Sequence, residues 1–310
     1  MFDIIGVGDA DIDIMLKVDH IPGHDEKVLG QMLGKFPGGM VANYLSAAAA
    51  FGAKCGAVVS VGEDDFGRLT LGDLEKRGVD ISHSIVRPGE DTYFTVTNLD
   101  ASGEKSMSIC QTAAISPYPE EVDFDYLAEA KYVHMIGTYP HLVLPVGREA
   151  KKRGVRVSLD FEPESDRMTP EQKAETLSLA YIVFPNEEVL ACYVGHRDLE
   201  RGAREMLAQG PEIVVVTRGA AGCEVFTKEA HFAVPAFRVP VRDTTGAGDT
   251  FNAVFVSCLA REYPLERCAW LATAAAAIQI QQGGSRTGLA AEAAAKRLLR
   301  AQGIRFSDQD

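Results

Sequence analysis

The sequence predicts an α/β protein in which helices cover both faces of a mainly parallel sheet. The chain opens on a short apolar strand at residues 2–8. From about residue 125 onwards, apolar runs of strand length alternate with longer helical patterns, as expected for a parallel sheet. Polar and glycine residues directly follow several of these strands, where such sheets bind their ligands.

The other elements follow from hydrophobic period and from turn residues. Residues 12–16 alternate apolar and polar side chains like a half-exposed strand, and residues 26–36 form a second extended segment. Residues 92–99 and 105–111 alternate around DASGE, which predicts a hairpin. Further strands are predicted at 55–61, 131–136, 155–160, 181–185 and 212–217, and helices at 65–77, 142–153, 170–179, 197–209, 247–261, 265–282 and 289–301.

Composition argues against several classes of partner. The formal net charge is −13 without a block of Lys or Arg, so neither nucleic acid nor an anionic membrane is an expected partner. No apolar run reaches the roughly 20 residues of a membrane span. The opening segment lacks the features of a signal peptide, and the six cysteines include no Cys-x-x-Cys pair. A cytoplasmic protein is therefore expected.

The stretch VRDTTGAGDTFNAVF, residues 241–255, joins a small-residue loop to a carboxylate at the start of a helix. The loop Gly246, Ala247 and Gly248 lets the backbone approach a ligand, and the helix offers free amides to an anion. Asp249 lies at the mouth of this anion site, where it could take a proton during phosphoryl transfer to a hydroxyl. We expect the helix dipole to lower its pKa. The alternative is an ordinary N-cap after a glycine turn.

A second glycine turn, PGG at residues 37–39, opens an Ala-rich helix. Its glycines let the chain approach a ligand, and Asn43 lies about one turn into the helix, within reach of that ligand. Before this turn, Asp9, Asp11 and Asp13 place three like charges within five residues. For Asp9 we expect a solvated acidic edge.

The two glycine motifs together resemble the signatures of the PfkB carbohydrate kinases, the ribokinase-like family. DTTGAGDTFNA is similar to the C-terminal signature, and residues 38–67, ending in VGEDDFG, are similar to the N-terminal one. The resemblance covers residues 1 to about 300. It implies a ribokinase-like three-layer α/β/α fold with a mainly parallel central sheet. The chain is then one kinase domain over 1–310, with a discontinuous β-sheet lid from about 12–36 and 91–112.

The resemblance also implies which residues bind the acceptor. Asp13 matches the acid that grips substrate hydroxyls, and Asp11 matches the polar residue two positions before it; a carboxylate suits two adjacent hydroxyls. Thr138 stands where ribokinases carry a Glu that holds ribose, and this departure counts against ribose as the sugar. The full set of implied acceptor residues is Asp11, Asp13, Gly38, Gly39, Asn43 and Thr138.

The nucleotide residues follow from two further matches. Asn186 begins a segment that is similar to the Asn-x-x-Glu motif of the family, which lies near the nucleotide phosphates and Mg²⁺, but Val189 replaces the Glu. TRGAAGC resembles the Thr-x-Gly-x-x-Gly nucleotide loop, which implies that Thr217, Gly219 and Gly222 approach the phosphates.

The resemblance implies ATP and Mg²⁺ as cofactors. In many relatives the loop that corresponds to GGSRTG, residues 283–288, holds a potassium ion together with an Asp. Asp243 and the carbonyl of Thr245 are the candidates for K⁺ here.

These inferences predict an ATP-dependent phosphotransferase that acts on a hydroxyl of a sugar or sugar-like substrate, with Asp249 as general base. A nucleoside kinase on the same scaffold is the first alternative. A kinase for an already phosphorylated sugar ranks third, because no clear Lys/Arg cluster accompanies the sugar motifs. A non-catalytic sugar or nucleotide sensor is the alternative from another class: Val189 favours it, and Asp249 counts against it. Lid edge strands need covering, which favours a homodimer.

Overall fold

The computed structural model describes residues 1–137, 139–162 and 168–306. The strands in this part of the chain are β1 (Phe2–Gly8), β2 (Asp11–Val18), β3 (Gly30–Gly38), β4 (Cys55–Gly62), β5 (Ile85–Arg87), β6 (Phe94–Leu99), β7 (Lys105–Cys110), β8 (Ala130–Ile136), β9 (Arg156–Asp160), β10 (Ile182–Phe184), β11 (Ile213–Thr217), β12 (Cys223–Phe226) and β13 (His231–Val234). The α-helices are α1 (Met40–Ala50), α2 (Asp65–Lys76), α3 (Phe124–Leu127), α4 (Pro140–Lys152), α5 (Pro170–Leu179), α6 (Glu187–Val194), α7 (Leu199–Leu207), α8 (Ala247–Leu259), α9 (Leu265–Gln279) and α10 (Glu292–Ala301).

The central sheet has the strand order β13-β12-β11-β10-β9-β8-β1-β4-β5. From β5 to β11 neighbouring strands are parallel, and only β12 and β13 join antiparallel at one edge. The carboxyl ends of the parallel strands therefore meet along one edge, where the segments that follow them can converge. The predicted parallel sheet is confirmed.

Helices cover both faces of this sheet. Alternate side chains of β1 point to opposite faces, so Ile4 joins one hydrophobic cluster while Ile5 and Val7 join another. The first cluster contains residues of α1, α8, α9 and α10, and the second contains residues of α4, α6 and α7. This is the three-layer α/β/α arrangement that the sequence predicts.

The second sheet has the strand order β3-β2-β6-β7 and is called the lid sheet below. Its two central strands, β2 and β6, are parallel, and both outer pairs are antiparallel. The hairpin β6–β7 is as the sequence predicts. Large apolar side chains remain exposed on β3 and β7, namely Met32, Leu33, Phe36, Met107 and Ile109. Closure of this sheet over a ligand and dimerisation through it stay predictions.

Several short strands in the structure are not predicted from the sequence. The strands β5, β12 and β13 have only three or four residues each, too few for a hydrophobic period to emerge. The extended segment predicted from residue 26 becomes a strand only at Gly30. Before that point the Glu26 carboxylate closes a turn by accepting a hydrogen bond from the Gly23 amide at 2.9 Å.

Two expectations drawn from composition bear on the fold. In the described ranges no helix is both long enough and apolar enough to cross a membrane. All six cysteines are free; four are buried, and Cys110 and Cys192 are exposed. The buried four pack as small core residues, as expected from their apolar sequence neighbours.

Candidate active site

The N-termini of α1 and α8 lie close together, and both helices begin after a glycine with positive φ. Gly39 precedes α1 with φ 89°, and Gly246 precedes α8 with φ 76°. A Cβ at Gly39 would lie 2.7 Å from the Cα of Ala10, and one at Gly246 would lie 2.9 Å from the Cα of Ser285. Both positions therefore require glycine, for conformation and for space.

Asp9 anchors the start of α1 and is not the solvated acid that the sequence suggested. It is 4% exposed, and its two carboxylate oxygens accept the amides of Met40 and Val41, each at 2.9 Å. Burial raises the pKa of Asp9, and the two amide hydrogen bonds act in the opposite direction. The expectation failed because Asp9 caps a helix that begins about thirty residues later, a contact that local sequence does not reveal.

Replacing Asp9 with alanine is expected to lower the free energy of unfolding by about 1–3 kcal/mol, because two buried amides lose their acceptor. Asp9→Asn, which keeps one acceptor oxygen, should cost less. Urea denaturation at constant pH measures both variants, and Asp19→Ala on the exposed turn after β2 is the control. An Asp9→Ala variant as stable as the control would contradict the anchoring role.

Asp11 and Asp13 lie beside the glycine turn that precedes α1. Asp11 is buried, its Oδ1 atom has no hydrogen-bond partner among the described residues, and burial raises its pKa well above the ordinary value. Asp13 accepts a hydrogen bond from the Thr95 hydroxyl of the lid sheet. A Cβ at Gly38 would lie 2.2 Å from Asp11 Oδ1, so glycine makes room for these acids. Thr138 lies outside the described residues.

Asn43 connects the α1 turn to the carboxylate of α8. Its Nδ2 donates to Asp249 Oδ2 at 3.0 Å, and its Oδ1 accepts from Arg286 Nε at 2.8 Å. Arg286 is 7% exposed and also donates to the Gly38 carbonyl and to Asp73 Oδ2, the latter at 2.8 Å. The buried guanidinium thus holds the start of α1 directly and reaches Asp249 of α8 only through Asn43.

The pKa of Asp249 departs from the sequence-based expectation. Burial raises the pKa of its carboxyl to about 7, and the nearby charges of Asp9 and Glu162 act in the same direction. The hydrogen bond from Asn43 and the charge of Arg286 oppose this shift. The expectation that the helix dipole lowers this pKa is wrong, because loss of solvent around the carboxyl outweighs the dipole.

The first turn of α8 offers amides to an anion, with one exception. The amide of Ala247 donates to the carbonyl of Thr244 at 3.2 Å. The amides of Gly248 and Asp249 have no acceptor among the described residues. These two N–H groups, and not that of Ala247, are available to a phosphoryl group.

A cavity of about 760 Å³ adjoins this helix start. The predicted nucleotide residues Thr217, Gly219 and Gly222 line it together with Ala247 and Gly248. Its apolar walls come mainly from the segment after β13 and from α9: Pro235, Phe237, Val239, Ala276, Ala277 and Ile280. This size and lining suit a nucleotide base with its phosphates directed towards α8.

Asn186 has a structural role outside the lining of this cavity. It is the N-cap of α6, and its Oδ1 accepts the amides of Glu188 at 3.0 Å and Val189 at 2.8 Å. Val189 is 1% exposed and packs in the hydrophobic core. Arg218 is paired with Glu187 and with a second acid, so its charge is already balanced. A nucleotide role for Asn186 stays a prediction.

Asp243 and Thr245 pin the loop before α8. Asp243 Oδ1 accepts from the Thr245 amide at 3.0 Å and hydroxyl at 2.7 Å, and its Oδ2 accepts from the Gly284 amide at 2.8 Å. These hydrogen bonds lower the pKa of Asp243 despite its partial burial. Both carboxylate oxygens thus have partners within the chain, and K⁺ binding here stays a prediction.

A buried polar pair lies next to Asp249 and was also missed. Asn252, one turn along α8, donates through Nδ2 to Asp160 Oδ2 at 2.9 Å, and both residues are buried. Burial raises the pKa of Asp160 well above its ordinary value, and the charges of Glu162 and Asp249 add to this. Asn252 lies within the TFNA segment, and its position three residues after Asp249 is the sequence signal that could have placed it near the site.

Comparisons with known proteins agree with this geometry. The model of the pfkB family carbohydrate kinases matches residues 1–292. The ATP-dependent ribose-1-phosphate kinase of Halopiger xanaduensis is 30% identical over 95% of this chain and 97% of its own length. The cytidine kinase of Thermococcus kodakarensis is 31% identical over 86% of this chain and 92% of its own.

Solved structures agree on the fold. The crystal structure of ribokinase from Thermotoga maritima matches with a TM-score of 0.86 and 27% identity, over 97% of this chain and 100% of that one. Its correspondence confirms the predicted ribokinase-like architecture. Since the family model also spans both glycine turns, the acids at residues 9–13 and Asp249, the chain belongs to the PfkB family of carbohydrate kinases.

Proposed function

We propose that the protein transfers the γ-phosphoryl group of ATP to a hydroxyl of a sugar-like acceptor, with Asp249 as general base. The observation that carries this proposal is the place of Asp249. Its carboxylate contacts Asn43, near the acids of β2, while Ala247 and Gly248 just before it line the large cavity. A base between an acceptor pocket and a nucleotide cavity can take the hydroxyl proton as the phosphoryl group arrives.

The acceptor hydroxyls would bind to Asp11, Asp13 and Asn43. Asp11 Oδ1 is buried without a donor, and a substrate hydroxyl would supply one. Thr95 fixes Asp13 from the lid sheet, so the carboxylate is oriented before the acceptor arrives. Orientation of this kind lowers the entropic cost of bringing the acceptor hydroxyl towards ATP.

The phosphoryl side uses the free amides of Gly248 and Asp249 at the start of α8. They would donate hydrogen bonds to the transferring group, where negative charge is concentrated. The described residues hold no group of three or more His, Cys, Asp or Glu side chains fit to bind a metal. Mg²⁺ would therefore be held mainly by the ATP phosphates and by water, and it would neutralise part of the negative charge of those phosphates.

The charges around the acceptor favour a neutral polyol. The charges of Asp9, Asp13 and Asp249 each raise the pKa of Asp11, so four carboxyl groups lie close to the acceptor site. Arg286 is nearby, but its guanidinium is already bonded to Asn43, Asp73 and the Gly38 carbonyl. We therefore rank a free sugar first, a nucleoside second and a phosphorylated sugar third. The nucleoside is supported by the likeness to a cytidine kinase.

A turnover assay tests this function. ATP consumption is measured with Mg²⁺, in K⁺ and in Na⁺, across free sugars, sugar acids, polyols, nucleosides and sugar phosphates. A single strong acceptor is the expected result. If no compound supports turnover while several raise the melting temperature, the protein is a sensor and the kinase proposal fails. A phosphorylated sugar as the sole acceptor would overturn the ranking but not the chemistry.

The acid limb of the pH profile of kcat/KM should reflect the ionisation of Asp249. A general base works in its deprotonated form, so kcat/KM should rise about tenfold per pH unit below pH 7 and level off above it. The midpoint follows from the raised pKa of about 7. In Asp249→Glu, which keeps a carboxyl, the limb should persist at lower activity. A wild-type profile flat from pH 5 to pH 8 would contradict the assignment.

A further inference from the structure

A basic cavity of about 280 Å³ lies beside α10 and shares no lining residue with the nucleotide cavity. Four cationic side chains line it, namely Arg267 from α9, Lys296 and Arg300 from α10, and Arg305 after α10. The wall between them is apolar and includes Leu299 and Phe306. Such a mixture suits a small organic anion.

The positive charge of this cavity is largely uncompensated. Lys296 pairs with Glu292 at 2.9 Å, but the same carboxylate also binds Arg261 at 2.8 Å. Within the described ranges Arg267, Arg300 and Arg305 form no ion pair. In a chain with a net charge of −13, three arginines that line one cavity without a carboxylate partner among residues 1–137, 139–162 and 168–306 are unusual. Their field attracts an anion from solution.

Arg267 supplies the second, independent observation. The residue is 7% exposed, and its Nη1 is buried without a hydrogen-bond partner among the described residues. Its guanidinium is held on the Tyr263 ring, 4.0 Å from the centroid, and lies 5.9 Å from the Phe306 ring. A buried N–H group of a guanidinium without an acceptor is unfavourable, and an anion in the cavity would provide the acceptor.

Helix electrostatics alone do not explain the cluster. Arg300 lies in the last turn of α10, where a cation stabilises the negative end of the helix dipole. The dipole of α10 does not account for Arg267, near the start of α9, or for Arg305, beyond the end of α10. We propose that this cavity binds a small phosphate-bearing anion through guanidinium groups, which match phosphate oxygens in pairs.

Isothermal titration tests the proposal on the full chain, with the nucleotide cavity filled by a non-hydrolysable ATP analogue. The probes are inorganic phosphate and glucose 6-phosphate, at ionic strength matched with chloride. Arg300→Gln/Arg305→Gln should weaken phosphate binding about tenfold or more, the loss of two charge-assisted contacts. Arg297→Gln is the matched control, because Arg297 is an exposed neighbour on α10 that does not line the cavity.

Each outcome decides the proposal. Retained binding in Arg297→Gln with loss in the double variant supports the site, and a tighter fit for glucose 6-phosphate than for phosphate identifies a phosphorylated sugar as its ligand class. Equal weakening by both variants means unspecific attraction and overturns it. Absence of binding in the parent chain also overturns it.

Discussion

Replacing Asp249 with asparagine is expected to lower kcat by about 10²–10⁴, the usual contribution of a general base. Asparagine keeps the size of the side chain and still accepts the hydrogen bond from Asn43, but it cannot take the proton of the acceptor hydroxyl. The KM for ATP should change little, because the described lining of the nucleotide cavity is untouched. Steady-state kinetics at saturating acceptor measure the loss.

The stability of the same variant provides the control. Because the folded-state pKa of Asp249 is raised to about 7, this group stabilises the fold below its unfolded-state pKa, and the contribution disappears as pH rises through 7. Above pH 7 the wild type holds a buried charge that the asparagine variant lacks. The variant should therefore melt no lower than the wild type at pH 8. Near-normal turnover by this folded variant would end the assignment of Asp249 as base.

The sequence was sufficient for the parts of the site that are local along the chain. Gly39 and Gly246 were identifiable because the helices that follow them carry clear apolar patterns. Thr217, Gly219 and Gly222 were predicted because TRGAAGC resembles the Thr-x-Gly-x-x-Gly loop of the family, and all three line the cavity of about 760 Å³ beside α8. In each case the backbone conformation and the functional group lie within a few residues, so a short motif contains both.

The parts that were missed depend on burial and on contacts between distant segments. Asp9 resembles a solvated acid in sequence but caps a helix that begins at Met40. The dipole of α8 is visible in the sequence, whereas the burial that raises the pKa of Asp249 emerges only when α1 packs against α8. Arg286 lies 243 residues after Asn43 in the chain, and no local sequence pattern predicts their contact.

Arg286 is the residue outside the glycine signatures whose replacement should have the largest effect. It acts through Asn43 and does not touch the carboxylate itself, so it is a positioning residue. Arg286→Gln would leave the Gly38 carbonyl and Asn43 Oδ1 buried with weakened or absent donors. We expect the free energy of unfolding to fall by about 1–3 kcal/mol for each such group. We also expect kcat/KM to fall about 10²-fold, the cost of misplacing reacting groups.

Three comparisons distinguish a positioning role of Arg286 from a loss of stability: a control variant, a double variant and a pH profile. Arg77→Gln is the matched control, since Arg77 donates to the same Asp73 oxygen at 2.9 Å but does not contact Asn43 or Gly38. In Asn43→Ala, the further change Arg286→Gln should have little additional effect on kcat/KM at a pH above the acid limb, because the hydrogen-bonded route from Arg286 to Asp249 is gone.

The pH profile of kcat/KM gives the third comparison. The charge of Arg286 lowers the pKa of Asp249, so the acid limb should move to higher pH in Arg286→Gln, while Arg77→Gln leaves it in place. Additive losses in the double variant with Asn43→Ala, together with an unmoved limb, would mean that Arg286 only holds the fold. A coupled loss and a shifted limb would instead place this guanidinium in control of both the geometry and the basicity of Asp249.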